Sequence, residues 1–577
     1  MLRAVQINIF APMPKVFNFL FLFLIITTVS AQNPYPQDYF QSPMDIPIIL
    51  SGSFAELRSN HFHSGIDIKT QGKEGVKVNA SAAGYVSRIK ISHFGYGKAL
   101  YITHPNGYTS VYAHLQKFGP KIEAFIKKLQ YEKESFEVET FPKNTDLLVE
   151  QGELVGYSGN TGGSGGPHLH FEIRDNQERP INPMLFGIKA KDSKRPRITN
   201  VYAYPRDDRA LINGKNEVQQ LRLIPAANGV YQTEKITAYG EIGFGIVSYD
   251  QQDLAPNKNG LSHIKTRFNG TDKLEVNFKR FSFSETKHLN RFIDYAVYKD
   301  KKRRIQKLFL EKNNPLSLIS DLDNNGYCRI EDSTSSVFKI LVKDFEGNTA
   351  SVRIPILGQK GESQPKAIAT SIAKHTISES ATTYLQGQNS TVTFYPNTVY
   401  EDTNISFRYS ADTLFLDEDR VPMQKNFSIS YNLDAYQDKD IDHLYIASLY
   451  GYYKKPSYVG ANRKGNELSA RTKTLGTFVL ASDTEAPKIK TINFQNKKWL
   501  SNYRYLKLKI SDKESGISNY RATVNGKWIL MEYDYKTGML VHDFNDEVIT
   551  ETTNNLKVIV TDNVANSSTF DAVFYRK

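Results

Sequence analysis

Cysteine is almost missing from this chain: Cys328 is the single one among 577 residues. No disulfide can form within the chain, so its folded units must hold together through apolar cores. A lone thiol of this kind is expected to be buried. Beyond Val29 there is no apolar run long enough to cross a membrane as a helix, which excludes a transmembrane segment in the body of the chain. Acidic excess is missing too, the net charge being +12. A basic chain suits an anionic partner. Here, however, the Lys and Arg residues are spread along the sequence, and no zinc-finger or RNA-binding signature accompanies them. Nucleic acid is therefore not the expected partner.

What is present favours β structure. The 34 tyrosines and 33 phenylalanines, with many Thr and Asn, supply side chains that pack well on pleated sheets. The length requires three or four domains. At the N-terminus, Arg3 and Lys15 precede the apolar run Phe17 to Val29, which has the length of a signal-peptide core. Val29-Ser30-Ala31 is a small-residue cleavage site, so residues 1–31 are expected to be removed and the mature chain to begin near Gln32. Met13 offers an alternative start. No cysteine follows to carry a lipid.

The rest divides as follows. Residues 32–45, with Pro34, Pro36 and Pro43, read as an extended lead-in. Residues 46–187 carry short apolar runs between Gly-rich turns, as in Tyr85-Val86-Ser87-Arg88-Ile89 and Ala99-Leu100-Tyr101-Ile102, the pattern of a compact antiparallel β domain. One stretch departs from it. Ile122, Phe125, Ile126 and Leu129 recur at helical spacing and predict an inserted amphipathic helix over Pro120–Lys133. Residues 188–358 and 487–577 share a weak repeat. Pro196-Arg197-Ile198 is matched by Pro487-Lys488-Ile489, and Val342-Lys343-Asp344…Asn348 by Val560-Thr561-Asp562…Asn566. Both pairs resemble the first and last strands of immunoglobulin-like sandwiches. Residues 376–486 alternate polar and apolar, as in Phe427-Ser428-Ile429-Ser430-Tyr431, and predict another β-sandwich. Residues 359–375 are polar without periodicity, a linker. The acidic run Asp321 to Gly326 is expected to be a plain turn rather than a calcium loop. The predicted fold is thus mainly β: an antiparallel domain with one inserted helix, followed by several sandwich modules.

Chemistry concentrates in the first domain. Gly162-Gly163-Ser164-Gly165-Gly166-Pro167 leads into His168-Leu169-His170-Phe171-Glu172. Side chains two apart on a strand face the same way, so both imidazoles look into one space. About a hundred residues earlier, His61-Phe62-His63-Ser64-Gly65-Ile66-Asp67 offers two imidazoles and a carboxylate, all ordinary zinc ligands. On a straight strand His63 and Asp67 would stand roughly 13 Å apart, so Gly65 is the expected bend. A further histidine, His114, lies in Tyr112-Ala113-His114-Leu115. One metal with three protein ligands and an open water position is the catalytic zinc pattern, and two histidines would remain for proton transfer.

These three segments, His63-Ser64-Gly65-Ile66-Asp67, Tyr112-Ala113-His114-Leu115 and Gly166-Pro167-His168-Leu169-His170-Phe171-Glu172, resemble the motifs of the lysostaphin-type zinc endopeptidases. Gly95-Tyr96-Gly97, Gly152-Glu153-Leu154-Val155-Gly156 and Asn182-Pro183 add to the resemblance, which covers about residues 46 to 187. It implies that zinc is held by His63, Asp67 and His170, and that His114 and His168 are the catalytic pair outside the ligand set. It further implies that the substrate is peptide cross-links of bacterial peptidoglycan, reached in the periplasm, at the cell envelope or outside the cell. The sandwich modules would then contact wall or envelope proteins. Two features depart from a minimal domain: the long segment Lys121–Leu148, and His61, which could compete with His63 for the metal. The competing reading is a metal-free module that binds wall or activates other hydrolases; it requires a missing ligand, and none is missing.

Overall fold

The computed structural model describes residues 34–226, 228–361 and 374–577. The expected signal segment and nearly all of the expected linker lie outside them. Strand outweighs helix, 46% to 8%, so the chain is mainly β.

The first domain is built from β1 (Leu50–Gly52), β2 (Ile66–Lys69), β3 (Lys77–Asn79), β4 (Gly84–Ile91), β5 (Lys98–Thr103), β6 (Thr109–Ala113), β7 (Lys117–Phe118), α1 (Pro120–Lys133), β8 (Val138–Thr140), β9 (Leu148–Val149), β10 (Leu154–Tyr157), β11 (His168–Arg174) and β12 (Pro180–Ile181). The main sheet runs β1-β2-β11-β6-β5-β4-β8, with β3-β10-β7 forming a smaller one. Every pairing in both sheets is antiparallel. The order matters because β11 sits between β2 and β6, so three segments far apart in sequence become neighbours.

The inserted helix starts at Pro120, whose fixed φ suits a first turn, and ends at Glu134 in a left-handed conformation. Ile122 and Ile126, one turn apart, are buried in the domain core. Its opposite side is covered by the last module: Lys127 and Tyr131 both bond Asp546, and the Tyr131 ring meets Trp528 at 5.2 Å. The segment that looked too long is thus a bracket between modules.

Residues 197–358 form a thirteen-stranded sheet system that includes parallel pairings of the Thr349–Gly358 strand with Val230–Thr233 and Ile236–Tyr249. Two short helices, Leu289–Phe292 and Tyr295–Lys301, interrupt it; sequence periodicity had not shown them. Asp323 pairs with Lys273, and Asn324–Gly326 closes a short turn with all three residues left-handed, so the acidic run Asp321 to Gly326 is a turn. Residues 374–483 hold a six- and a five-stranded sheet around their own core, and residues 484–577 a four- and a five-stranded sheet around another.

The boundary at Gly187 separates topologies but not cores. One continuous apolar cluster runs from Phe40 through the first domain into the second. Phe54 and Phe62 stack on Phe281 at 5.3 and 5.5 Å, and Phe62 N donates to Thr286 Oγ1 at 2.8 Å. The lead-in belongs to the same cluster, with Phe40 and Met44 buried.

Candidate active site

Each site residue is positioned by pairing with β11. Asp67 on β2 lies directly opposite His170 on β11, and Ala113 on β6 lies opposite His170 on the other side. His114 follows Ala113 immediately, in the left-handed region at φ 60. Histidine tolerates this region better than most residues, but the strain marks a position held by its surroundings. Here the holder is the Thr161 carbonyl, which accepts from His114 Nδ1 at 2.9 Å.

Gly65 brings His63 to Asp67, though not by an unusual φ. A Cβ there would meet the Phe171 carbonyl at 2.2 Å. Only glycine lets the strand lead-in press against β11. Glycine also locks the two loops over the site: a Cβ on Gly162 (φ 67) would stand 2.3 Å from Gly97 N.

The result is a compact cluster. His63 Nε2 stands 2.9 Å from Asp67 Oδ1 and 3.0 Å from His170 Nδ1, and His170 Nδ1 stands 2.9 Å from Asp67 Oδ1. The remaining ring nitrogens are committed. His63 Nδ1 donates to the Ser53 carbonyl at 2.7 Å, and His170 Nε2 donates to Glu172 Oε1 at 2.8 Å. Those donations fix the tautomers and turn the other nitrogen of each ring, with its lone pair, into the shared space. Two imidazoles and a carboxylate suit zinc, whose tetrahedral ligands at 2.0–2.1 Å stand about 3.3 Å apart. Electrostatics agree. Burial opposes charge on His170, yet hydrogen bonds to Asp67 and Glu172 outweigh it and push its pKa up to about 9. Burial likewise opposes charge on Asp67, but the field of His63 and hydrogen bonds from His168, His170 and His63 hold its carboxyl well below the usual range. The buried carboxylates of Asp67 and Glu172 thus favour positive charge beside them, carried by protons on the imidazoles or by a cation among them.

His168 and His114 flank this set. His168 Nδ1 donates to the Gly166 carbonyl at 2.8 Å, and its Nε2 lies 3.4 Å from Asp67 Oδ1. The His114 and His168 rings are 4.9 Å apart. Burial, then the fields of His170 and His168, push His114 down to about 3, so it is neutral. His61 is exposed and outside the cluster.

Sequence reasoning passed over the layer behind the candidate ligands. Glu172 is fully buried and binds His170, Ser64 Oγ at 2.6 Å, Arg174 Nε at 2.6 Å and the Tyr96 hydroxyl. Burial raises its pKa, but Arg174 and His170 together pull it well below the ordinary value. The signal was legible: His168, His170, Glu172 and Arg174 alternate along one strand and so share one face. Arg58, whose Nη2 donates to Asp67 Oδ2 at 3.0 Å, had no such signal.

The last module reaches this site. Lys536 Nζ donates to the Asn160 carbonyl and to the Ser164 carbonyl at 3.2 Å, on the Gly-rich loop beside His114 and His168. Nearby, buried Lys98 pairs with Glu532 at 2.8 Å and the Phe94 ring meets Tyr535 at 4.6 Å.

Residues 61–131 and 137–183 match Peptidase family M23, and residues 374–483 match the Zu5-like domain. Among characterised relatives, the DD-carboxypeptidase/endopeptidase Mpg of Neisseria meningitidis is 36% identical over 132 residues, which is 23% of this chain and 24% of the relative. The peptidoglycan DD-endopeptidase ShyA of Vibrio cholerae is 31% identical over 131 residues, 23% of this chain and 24% of the relative. This chain therefore spans about a quarter of the length of the curated relatives it matches. The catalytic domain of lysostaphin from Staphylococcus simulans aligns at 23% identity over 24% of this chain and 90% of that one, with a TM-score of 0.18.

Proposed function

Because this chain carries a Peptidase family M23 domain within residues 61–183, we propose that it is an exported, zinc-dependent endopeptidase that hydrolyses peptide cross-links of bacterial peptidoglycan. The observation that carries the proposal is the convergence of His63 Nε2, Asp67 Oδ1 and His170 Nδ1 within 3.0 Å, with the other ring nitrogens turned outward by Ser53 and Glu172. These three residues hold the metal. Zinc, when bound, supplies Lewis-acid activation of water and of the scissile carbonyl.

The chain's own groups do the rest. His114 and His168 each give Nδ1–H to a backbone carbonyl, Thr161 and Gly166. His114 thus keeps Nε2 free and His168 holds its Nε2 3.4 Å from Asp67 Oδ1, and the pair can take a proton from the attacking water, return one to the leaving amine and hold the developing oxyanion. Both rings are fixed by loops that glycine interlocks, so their positions are set before substrate arrives. Arg58 binds the outer oxygen of Asp67 and leaves the inner one for the metal.

The test is metal content and product analysis on the purified chain. Wild type is expected to carry about one zinc and to release new peptide termini from peptidoglycan, identified by mass spectrometry. Asp67→Ala and His170→Ala lose both; His61→Ala loses neither. A zinc-free, inactive wild type overturns the proposal. Loss of zinc in His61→Ala with retention in His63→Ala overturns the ligand assignment.

A further inference from the structure

Two carboxylate clusters lie outside the active site, at two of the joints where the chain enters a β module. Asp192, Asp250 and Asp344 bring one oxygen each within 4.8 Å of the others, and Asp483, Asp512 and Asp562 do the same. The clusters are built alike. Asp192 and Asp483 each stand four residues before a proline, Pro196 and Pro487, that opens the first strand of a module. Asp250 follows Tyr249, the partner of Arg197; Asp512 follows Ser511, the partner of Lys488. Asp344 and Asp562 each begin the last hairpin turn, after the pairs Lys343–Thr349 and Thr561–Ser567. Even the supporting amide recurs. Asn348 Nδ2 donates to Asp344 Oδ2 at 2.9 Å and the Asp192 carbonyl at 3.5 Å; Asn566 Nδ2 donates to Asp562 Oδ2 at 2.8 Å and the Asp483 carbonyl at 2.8 Å.

Four of the six carboxylates are almost wholly buried, Asp250 at 3%, Asp344 at 2%, Asp483 at 1% and Asp562 at 2% exposure. None of the six makes an ion pair among the described residues. Two of the cations near the first cluster in sequence are engaged elsewhere: Lys194 Nζ with the Gln252 carbonyl at 2.9 Å, and Arg195 Nη1 with the Thr349 carbonyl at 3.2 Å. Buried charges without a basic partner ordinarily neutralise or coordinate a metal.

Unsatisfied groups aimed at the clusters decide between those two. Asp250 Oδ1 has no donor facing it among the described residues, and its carboxyl lies within hydrogen-bond reach of Asp192. Asn259, at 3% exposure, has neither amide atom bonded, and its backbone exchanges both hydrogen bonds with Asp250 at 2.9 Å, which puts the two side chains on one face. At the second joint, Ser515 donates its N–H to Asp483 Oδ2 at 2.9 Å while its own Oγ is unpartnered. The fully buried Tyr445 hydroxyl is unpartnered as well, and its ring packs on Val564 inside the Asp562–Asn566 turn. A proton shared between carboxyls satisfies Asp250 but leaves the side-chain oxygens of Asn259, Ser515 and Tyr445 idle; a cation uses them.

We infer that each joint is a binding site for calcium, with three aspartates as anchoring ligands. The donors are oxygen only, which selects a hard cation, and irregular oxygen sets of this kind suit calcium's flexible coordination better than magnesium's strict octahedron. Without a cation the carboxylates of one cluster oppose one another's charge. Burial, then Asp192, push Asp250 up to about 8. Burial raises Asp344 and Asp512 as well, with Asp192 adding for the former and Asp483 and Asp562 for the latter. The ion ties the incoming linker to the module it enters.

The experiment uses the full chain with its zinc retained, freed of other ions on a chelating resin and dialysed against calcium chloride. Elemental analysis is expected to find about two calcium ions per chain at millimolar calcium. Asp250→Asn/Asp344→Asn removes one and Asp512→Asn/Asp562→Asn the other, with zinc unchanged and equimolar magnesium failing to displace calcium. Calcium raises the unfolding temperature of the wild type and not that of the combined variant. In calcium-free buffer the variants unfold at or above the wild-type temperature, because carboxylate repulsion is relieved, and this also shows that they fold. A folded wild type that binds no calcium overturns the inference, as does calcium binding that both pairs of substitutions leave intact.

Discussion

Glu172→Gln tests the layer behind the proposed zinc ligands, where burial and charge allow the effect to be sized. The side chain is fully buried, with Oε1 accepting from His170, Ser64 and Tyr96 and Oε2 accepting from Arg174 Nε at 2.6 Å. Glutamine has the same shape but one acceptor oxygen and no charge. If that oxygen keeps His170, the amide NH2 opposes the Arg174 guanidinium, whose remaining ion partner is Glu178 at 3.0 Å. Breaking one side of a buried ion pair costs about 3–5 kcal/mol. For a unit of this size that lowers the unfolding temperature by roughly 6–20 °C at ~2–4 °C per kcal/mol. The second expectation concerns metal. A lost partner behind a ligating histidine weakens affinity roughly 10–100-fold, measured by chelator competition. Glu172→Gln/Arg174→Met separates the two effects: removing the stranded cation restores much of the stability, while zinc affinity stays reduced. Wild-type zinc affinity and wild-type stability in Glu172→Gln would refute the reasoning outright. Full recovery of both in the double variant would show that Glu172 serves only to neutralise Arg174.

His114→Asn and His168→Ala are expected to retain zinc and lose about 10²–10⁴-fold in turnover, the usual worth of general acid–base help; asparagine is chosen at 114 because it accepts the left-handed backbone, and full activity there would return His114 to a structural role. A fragment of residues 46–187 exposes Phe54 and Phe62, each worth about 1.5–3 kcal/mol when buried, so it should be unfolded or aggregated by circular dichroism and gel filtration, whereas residues 34–361 should be monomeric and bind zinc; a stable, zinc-binding 46–187 would show that the shared core is dispensable. Cys328 is wholly buried and its thiol is pushed up to about 12 by burial, so the native chain should not react with a thiol reagent at pH 8 and should take up one equivalent on unfolding; reaction in the folded state would contradict the placement.

Much was legible from residue spacing alone. His168 and His170 share a face because a strand has period two. Ile122, Phe125, Ile126 and Leu129 gave a helix that begins at Pro120 because helical periodicity and a first-turn proline are local properties. The antiparallel β character of the first domain followed from short apolar runs between glycine turns, and the likeness of the segments after Pro196 and Pro487 followed from their shared pattern. The single cysteine excluded internal disulfides without any structure. What spacing could not decide is which distant groups meet. Asp67 reaches His170 only because β2 pairs with β11 in one register, and Gly65 works by letting a backbone carbonyl approach rather than by bending the chain as a left-handed residue. Glu172 carried a sequence signal on the His168–His170 face, but its weight comes from Arg174, Tyr96 and Ser64 closing over it in a dry interior, where charge must be balanced locally. The same holds for the joints, where aspartates far apart in sequence converge because strand ends meet. Local order is written in neighbouring residues. Burial, and the charge balance it enforces, exists only once distant segments have packed.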